Sequence, residues 1–140
     1  MTRYIGLDLG SVTCGVSESD TGFIARTVKT IRFKPDDYNE AMDKVLDVIN
    51  EIKPDIIVMG YPLLLNDDEG ERAQLCREFG EVLEQESGIK VVLQDERFTT
   101  KESESILLEA DLSRKKRKKK IDQMAAVHIL QYYLDAHGNK

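Results

Sequence analysis

Asp55-Ile56-Ile57-Val58-Met59-Gly60 is a short apolar run that follows directly on a helical pattern. A strand with one face in water alternates apolar and polar residues, whereas a strand covered on both faces has no need to alternate. The run therefore predicts a central strand reached through a helix, which is a β-α-β crossover with a parallel neighbour. The helix before it is marked by Ala41, Val45, Leu46, Val48, Ile49 and Ile52 at 3.6-residue spacing, opened by Pro35-Asp36-Asp37 and closed by Lys53-Pro54.

Upstream, Arg3 to Ser11, Val12 to Glu18 and the β-branched stretch Phe23 to Phe33 read as three strands, with the turn Asp20-Thr21-Gly22 before the third. Short connections make an antiparallel meander. Downstream, a helix begins near Gly70-Glu71-Arg72-Ala73, carries Leu75, Cys76, Phe79, Val82 and Leu83 on its apolar side, and ends at Gly88. Ile89 to Leu93 predicts a further buried strand, and Thr99 with Glu102 forms a capping box for a helix to about Ala110. A last helix is expected from Ile121 to about Ala136, set off from the previous one by a basic tract. The fold class predicted is α/β: a central five-stranded mixed sheet, three antiparallel strands then two parallel, flanked by helices. With 140 residues and 41% hydrophobic composition, a single domain over 1–140 is expected.

No apolar run approaches the roughly 20 residues of a membrane span, and no basic-then-apolar secretory pattern opens the chain, so a cytoplasmic protein without membrane contact is expected. Cys14 and Cys76 are far apart in no metal-like spacing and read as reduced thiols filling the core. His128 and His137 are assigned to packing and to the C-terminal end.

The net charge is −6, yet Arg114-Lys115-Lys116-Arg117-Lys118-Lys119-Lys120 is seven consecutive cations; 13 basic residues are left against 26 acidic ones elsewhere. So concentrated a patch on an acidic chain is either a solvated charge run or a seat for a phosphate backbone.

Within Arg3-Tyr4-Ile5-Gly6-Leu7-Asp8-Leu9-Gly10-Ser11 one carboxylate is set into a strand. Alternation puts Asp8 on the face of Tyr4, Gly6 and Gly10, and the two glycines clear room there for something bulky. Ser11 and Thr13 offer hydroxyls beside it. Asp8 is either a turn aspartate at a strand end or a carboxylate with strong donors or a cation beside it.

Ligands in open α/β sheets sit beyond the carboxyl ends of the strands. The first strand ends at Asp8 and Gly10, the fourth at Gly60-Tyr61-Pro62, and the fifth at Gln94-Asp95-Glu96-Arg97. Asp95 and Glu96 suit a turn or an ion pair with Arg97 as well as they suit chemistry. Asp122, beginning the last helix, suits stabilisation of a helix N-terminus, worth about 0.3 to 1 kcal/mol. If Asp8, one of Asp95 or Glu96, and Asp122 converge, their hard oxygen donors favour Mg2+ or Mn2+ over zinc. Two such ions can hold a phosphodiester, activate a water and stabilise the leaving oxygen.

Five motifs carry a resemblance: Gly6-Leu7-Asp8-Leu9-Gly10-Ser11, Gly60-Tyr61-Pro62, Gly70-Glu71-Arg72-Ala73, Asp95-Glu96-Arg97-Phe98-Thr99-Thr100, and Ser113-Arg114 through Ile121-Asp122-Gln123-Met124-Ala125-Ala126. Each is weak alone, but in this order over nearly the whole chain they resemble the YqgF/RuvX family. The resemblance implies an RNase H-like fold related to Holliday-junction resolvases, and a bacterial endonuclease proposed to trim the 5′ end of the 16S rRNA precursor. It also implies Asp8, Glu96 and Asp122 as metal-binding carboxylates, with Glu96 preferred to Asp95. Two departures stand out. Val12-Thr13 replaces the basic residues usual after the first glycine-serine, and Leu63-Leu64-Leu65-Asn66-Asp67-Asp68 replaces a basic or polar residue followed by Asn-Met and glycine.

The function expected is a Mg2+- or Mn2+-dependent endonuclease on structured RNA, or on branched DNA as a junction resolvase, active as a monomer or weak homodimer. Asp8 bridges the ions while Glu96 and Asp122, with Asp95 beside them, complete the shell. Arg97, Arg114, Lys115, Lys116, Arg117, Lys118, Lys119, Lys120, Ser11 and Thr13 hold the backbone. Arg72 is read as a helix-surface charge. Tyr61, Tyr132 and Tyr133 suit packing more than base stacking. A non-catalytic RNA- or ribosome-binding module with the same fold is the competing reading. A phosphate loop of the actin-like ATPase and sugar-kinase kind is a third; those proteins need two such domains.

Overall fold

The computed structural model describes residues 2–62, 69–95 and 114–137, with side chains in the last stretch from 124 onward. In chain order the elements are β1 (Tyr4–Leu9), β2 (Thr13–Ser19), β3 (Arg26–Arg32), α1 (Tyr38–Ile52), β4 (Ile56–Tyr61), α2 (Glu71–Ser87), β5 (Lys90–Asp95) and α3 (Arg114–His137). They form one five-stranded sheet in the order β3-β2-β1-β4-β5. β1 pairs antiparallel with β2, and β2 with β3, while β1 pairs parallel with β4 and β4 with β5. The mixed sheet expected from the apolar run at 55–60 is present.

The helix boundaries have local causes. Asp37 caps α1, its carboxylate accepting from the backbone N–H of Glu40 at 3.0 Å, and Lys53 ends it in the left-handed region at φ 57°. Gly88, at φ 71°, ends α2 as the sequence suggests.

Alternation along the strands divides the core in two. Ile5, Leu7, Leu9, Cys14, Val16, Ile57 and Met59 face α1 and α2, packing on Val45, Ile49, Cys76, Phe79 and Leu83. Tyr4 and Val58 face α3, packing on Ile129, Leu130 and Leu134. Both cysteines are buried and neither is in a disulfide. No helix among the described residues is long and apolar enough to cross a membrane.

Several expectations are corrected. The third strand is shorter than Phe23 to Phe33, because Phe23 and Ile24 lie before it with 53% and 72% exposure. β5 is an edge strand rather than a buried one, and Leu93 on it is 38% exposed. Val82 stands 44% exposed on α2 instead of on its buried side. The largest change is at the last helix. It starts at Arg114 and includes the whole basic tract, so Asp122 lies inside it and not at its beginning. Lys and Arg are good helix formers and no Gly or Pro intervenes, so like-charge repulsion of a few tenths of a kcal/mol per pair does not stop the helix. An anion in mid-helix gains little from the helix dipole, which removes that account of Asp122. The helix expected over 99–110, the loop Leu63 to Asp68, Glu96 and Arg97 lie outside the described residues.

Candidate nuclease site

The carboxyl ends of β1, β4 and β5 lie side by side, as the topology requires. Asp8 is half-buried near the end of β1, opposite Gly15 of β2, on the face that α3 covers. Gly6, on the same face, is where α3 comes closest. A Cβ built there would lie 2.8 Å from Leu130 Cβ and 3.0 Å from the Ala126 carbonyl oxygen, besides striking Ser17 Oγ. The bulky occupant for which Gly6 makes room is thus the last helix. Ser17, fully buried on β2, donates its hydroxyl to the Ala126 carbonyl at 2.7 Å. Farther along, Gln131 clamps the β2–β3 connection, accepting from Ala25 N at 2.9 Å and donating to the Phe23 carbonyl at 2.7 Å.

α3 runs antiparallel to β1. The Tyr133 ring is 6.0 Å from that of Tyr4, whereas Ala126 and Leu130 lie over Gly6. Two strand residues advance about 6.6 Å and one four-residue helical step about 6 Å. The step from Gly6 to Asp8 is therefore matched by the step from Ala126 to helix position 122.

On β5, Val92 packs with the α3 face, whereas Val91 and Leu93 face Gly80 of α2. Alternation then puts Gln94 on the Asp8 face and Asp95 on the opposite one. Among the described residues no group of three or more His, Cys, Asp or Glu side chains could hold a metal ion; Glu96 and the Asp122 side chain are outside that set. The side chains of Arg114 to Lys120 are outside it as well.

The loop after Asp8 is held carbonyl by carbonyl. The Thr13 carbonyl accepts from Gly10 N at 2.7 Å, Val12 from Phe33 N at 3.0 Å, and Ser11 from Asp36 N at 2.8 Å. The Leu9 carbonyl accepts from the Arg72 guanidinium, which also donates to Tyr38 Oη at 3.2 Å. Arg72 is exposed, as expected of a helix-surface charge, and its guanidinium in addition braces the end of β1. Sequence could not reveal this, because its acceptor is a backbone carbonyl 63 residues away and backbone acceptors leave no mark in a side-chain pattern.

Beyond β4, Tyr61 donates to Glu69, and Arg77 grips the same carboxylate at 2.9 and 3.2 Å. Arg77, and then the Tyr61 hydrogen bond, hold Glu69 below the usual carboxylate range. On the α1/α2 face, burial above all pushes the Cys14 thiol far up, and the Asp8 charge adds to the shift.

A sequence model of the family described as "RuvX: Holliday junction resolvase" matches residues 2–136. A relative from Lactococcus lactis subsp. cremoris (strain MG1363), named as a candidate pre-16S rRNA nuclease, is 45% identical over 139 residues, covering 99% of this chain and 97% of the relative. One of the same name from Listeria monocytogenes serotype 4b (strain F2365) is 46% identical over 134 residues, covering 95% and 97%. Among solved structures, Thermus thermophilus RuvC in complex with a Holliday junction substrate superposes with TM-score 0.63 at 14% identity, over 97% of this chain and 95% of RuvC. A ROK hexokinase from Thermus thermophilus superposes with TM-score 0.50 at 16% identity, but over only 35% of its own length. Both likenesses concern the fold, which is the RNase H-like one.

Proposed function

The chain belongs to the RuvX family of Holliday-junction-resolvase-like proteins, and from that premise we propose that it is a divalent-metal-dependent endonuclease that processes the 5′ end of the 16S rRNA precursor. One observation carries the reading: α3 keeps step with β1, so position 122 comes level with Asp8 although 114 positions separate them in sequence. The pleat of β5 supports Glu96 over Asp95 as the third carboxylate, since Asp95 follows Leu93 onto the α2 face.

The donors suit a hard cation. Asp8 is a half-buried carboxylate with the Ser11 and Thr13 hydroxyls beyond it, whereas both thiols are buried, Cys14 and Cys76 packing in the core on the other face. Asp8, Glu96 and Asp122 would hold Mg2+ or Mn2+. Such ions supply a water of lowered pKa and neutralise charge at the leaving oxygen. Asp8 is held at a fixed depth by its strand, Arg97 steadies the phosphate, and Arg114 to Lys120 carry the flanking backbone. Ser11 and Thr13 add hydroxyl contacts to phosphate.

The experiment compares wild type with Asp8→Asn on an rRNA precursor with Mn2+. Cleavage is expected in wild type and lost in the variant, with RNA affinity kept. Wild type that binds but never cuts supports the binding module instead. The family description favours branched DNA as the second substrate, so a four-way junction belongs in the same assay. An ATP-binding measurement in the same series tests the phosphate-loop reading.

A further inference from the structure

The β1–β4 ladder ends at the pair Leu7 and Met59. Two residues on, the Leu9 carbonyl has left the ladder on that side and is taken up by Arg72 from the first turn of α2. Losing that donor would leave a strand-end carbonyl without its protein partner and would free the end of the strand that carries Asp8. The other guanidinium nitrogen donates to Tyr38 Oη, and Tyr38 donates on to Asp36 Oδ1 at 3.3 Å. Asp36 in turn gives its backbone N–H to the Ser11 carbonyl. The guanidinium thus braces the first turn of α2, the first residue of α1 and the end of β1 together.

Of the donors that fix the carbonyls of Leu9, Ser11, Val12 and Thr13, three are backbone N–H groups and one is a side chain. Arg72 is the one of the four that a change of side chain removes without altering the backbone. We propose that Arg72 is a positioning residue for the Asp8 carboxylate: by holding the Leu9 carbonyl it keeps the end of β1 from drifting and so sets where Asp8 can meet a cation. The proposal rests on the metal reading of Asp8. Arg72 acts from the α1/α2 face, so it needs no contact with ion or substrate.

The test measures Mn2+ binding to the RNA-free protein by calorimetry or electron paramagnetic resonance, for wild type, Arg72→Met, Arg72→Lys and Asp8→Asn. RNA affinity in EDTA is measured for the same set. Arg72→Met is expected to weaken Mn2+ binding about tenfold, as removal of a supporting hydrogen bond does at metal sites. Arg72→Lys, which can still reach one acceptor, falls between it and wild type, and RNA affinity in EDTA stays constant.

Mn2+ binding that is unchanged while the protein is merely less stable assigns Arg72 to the fold alone and overturns the proposal. Tighter Mn2+ binding overturns it too, since it would show a cation repelling the ion. A lower RNA affinity in EDTA, with a shallower salt dependence, would make Arg72 a phosphate contact instead. If Arg72→Met does not fold, Arg72→Lys alone decides by the same comparison. Wild type that binds no Mn2+ brings down the metal reading and this one with it, whereas a site sensitive to Asp8→Asn and indifferent to Arg72 overturns this one only.

Discussion

Ser17 of β2 gives its buried hydroxyl to the carbonyl of Ala126, 109 residues later, and this hydrogen bond seats α3 on the sheet. The Ala126 carbonyl lies inside a helix and keeps its helical partner when the hydroxyl is gone. Ser17→Ala is therefore expected to cost about 1 kcal/mol, at the lower end for a buried hydrogen bond, with cleavage largely kept. Urea unfolding of the two proteins measures the difference.

Gly6 is less forgiving. The backbone carbonyl of Ala126 and the Cβ of Leu130 stand within 3.0 Å of where its Cβ would be, and neither is the end of a flexible chain. Gly6→Val should destabilise the fold by about 1–3 kcal/mol as overpacking does, and should lift α3 from β1. Cleavage should then fall well beyond the decrease in folded fraction, because position 122 moves with the helix. Activity measured well below the melting temperature separates the two effects.

Neutralising Lys115, Lys116, Lys118 and Lys119 to Gln should leave the fold intact and flatten the salt dependence of RNA binding. Each lysine that pairs with a phosphate in the wild type contributes about 0.7 to 0.9 to the slope of log K against log salt, and its replacement takes that amount away. An unchanged slope would put the tract away from the nucleic acid.

Cys14 gives a pH prediction. Burial raises its folded-state pKa above the ordinary 9.0, so folded and unfolded chains are equally protonated below that value and the thiol adds no pH dependence. Above it the unfolded chain loses a proton that the folded chain keeps, and stability falls as pH rises, by up to about 1.4 kcal/mol per unit. Cys14→Ala should remove that part of the alkaline loss. Denaturation of both proteins at pH 8 and pH 10 gives the comparison.

The sheet was legible because its signals are local: an unbroken apolar run between a helix and a loop can be little other than a covered strand, and Pro35 with Lys53-Pro54 brackets α1. The start of α3 was not, because a change of composition at Ile121 resembles a boundary while the backbone sees only good helix formers from Arg114 onward. Asp95 and Glu96 are adjacent acids that sequence cannot tell apart, and the face of Asp95 is set only by the register of β5, which pairing with Met59, Gly60 and Tyr61 fixes. Arg72 was hidden for a similar reason. Charge suggests surface, where Arg72 does lie, and only the tertiary structure shows that its guanidinium also reaches a strand-end carbonyl.

The antiparallel run of α3 over β1 has a consequence for how the protein is made. Asp8 leaves the ribosome more than a hundred residues ahead of the helix that closes over Gly6 and Ser17. Synthesis can complete the meander and both crossovers with the last helix still untranslated. On the reading proposed above, Asp8 and position 122 emerge so far apart in time that no cation site can form between them until the second arrives.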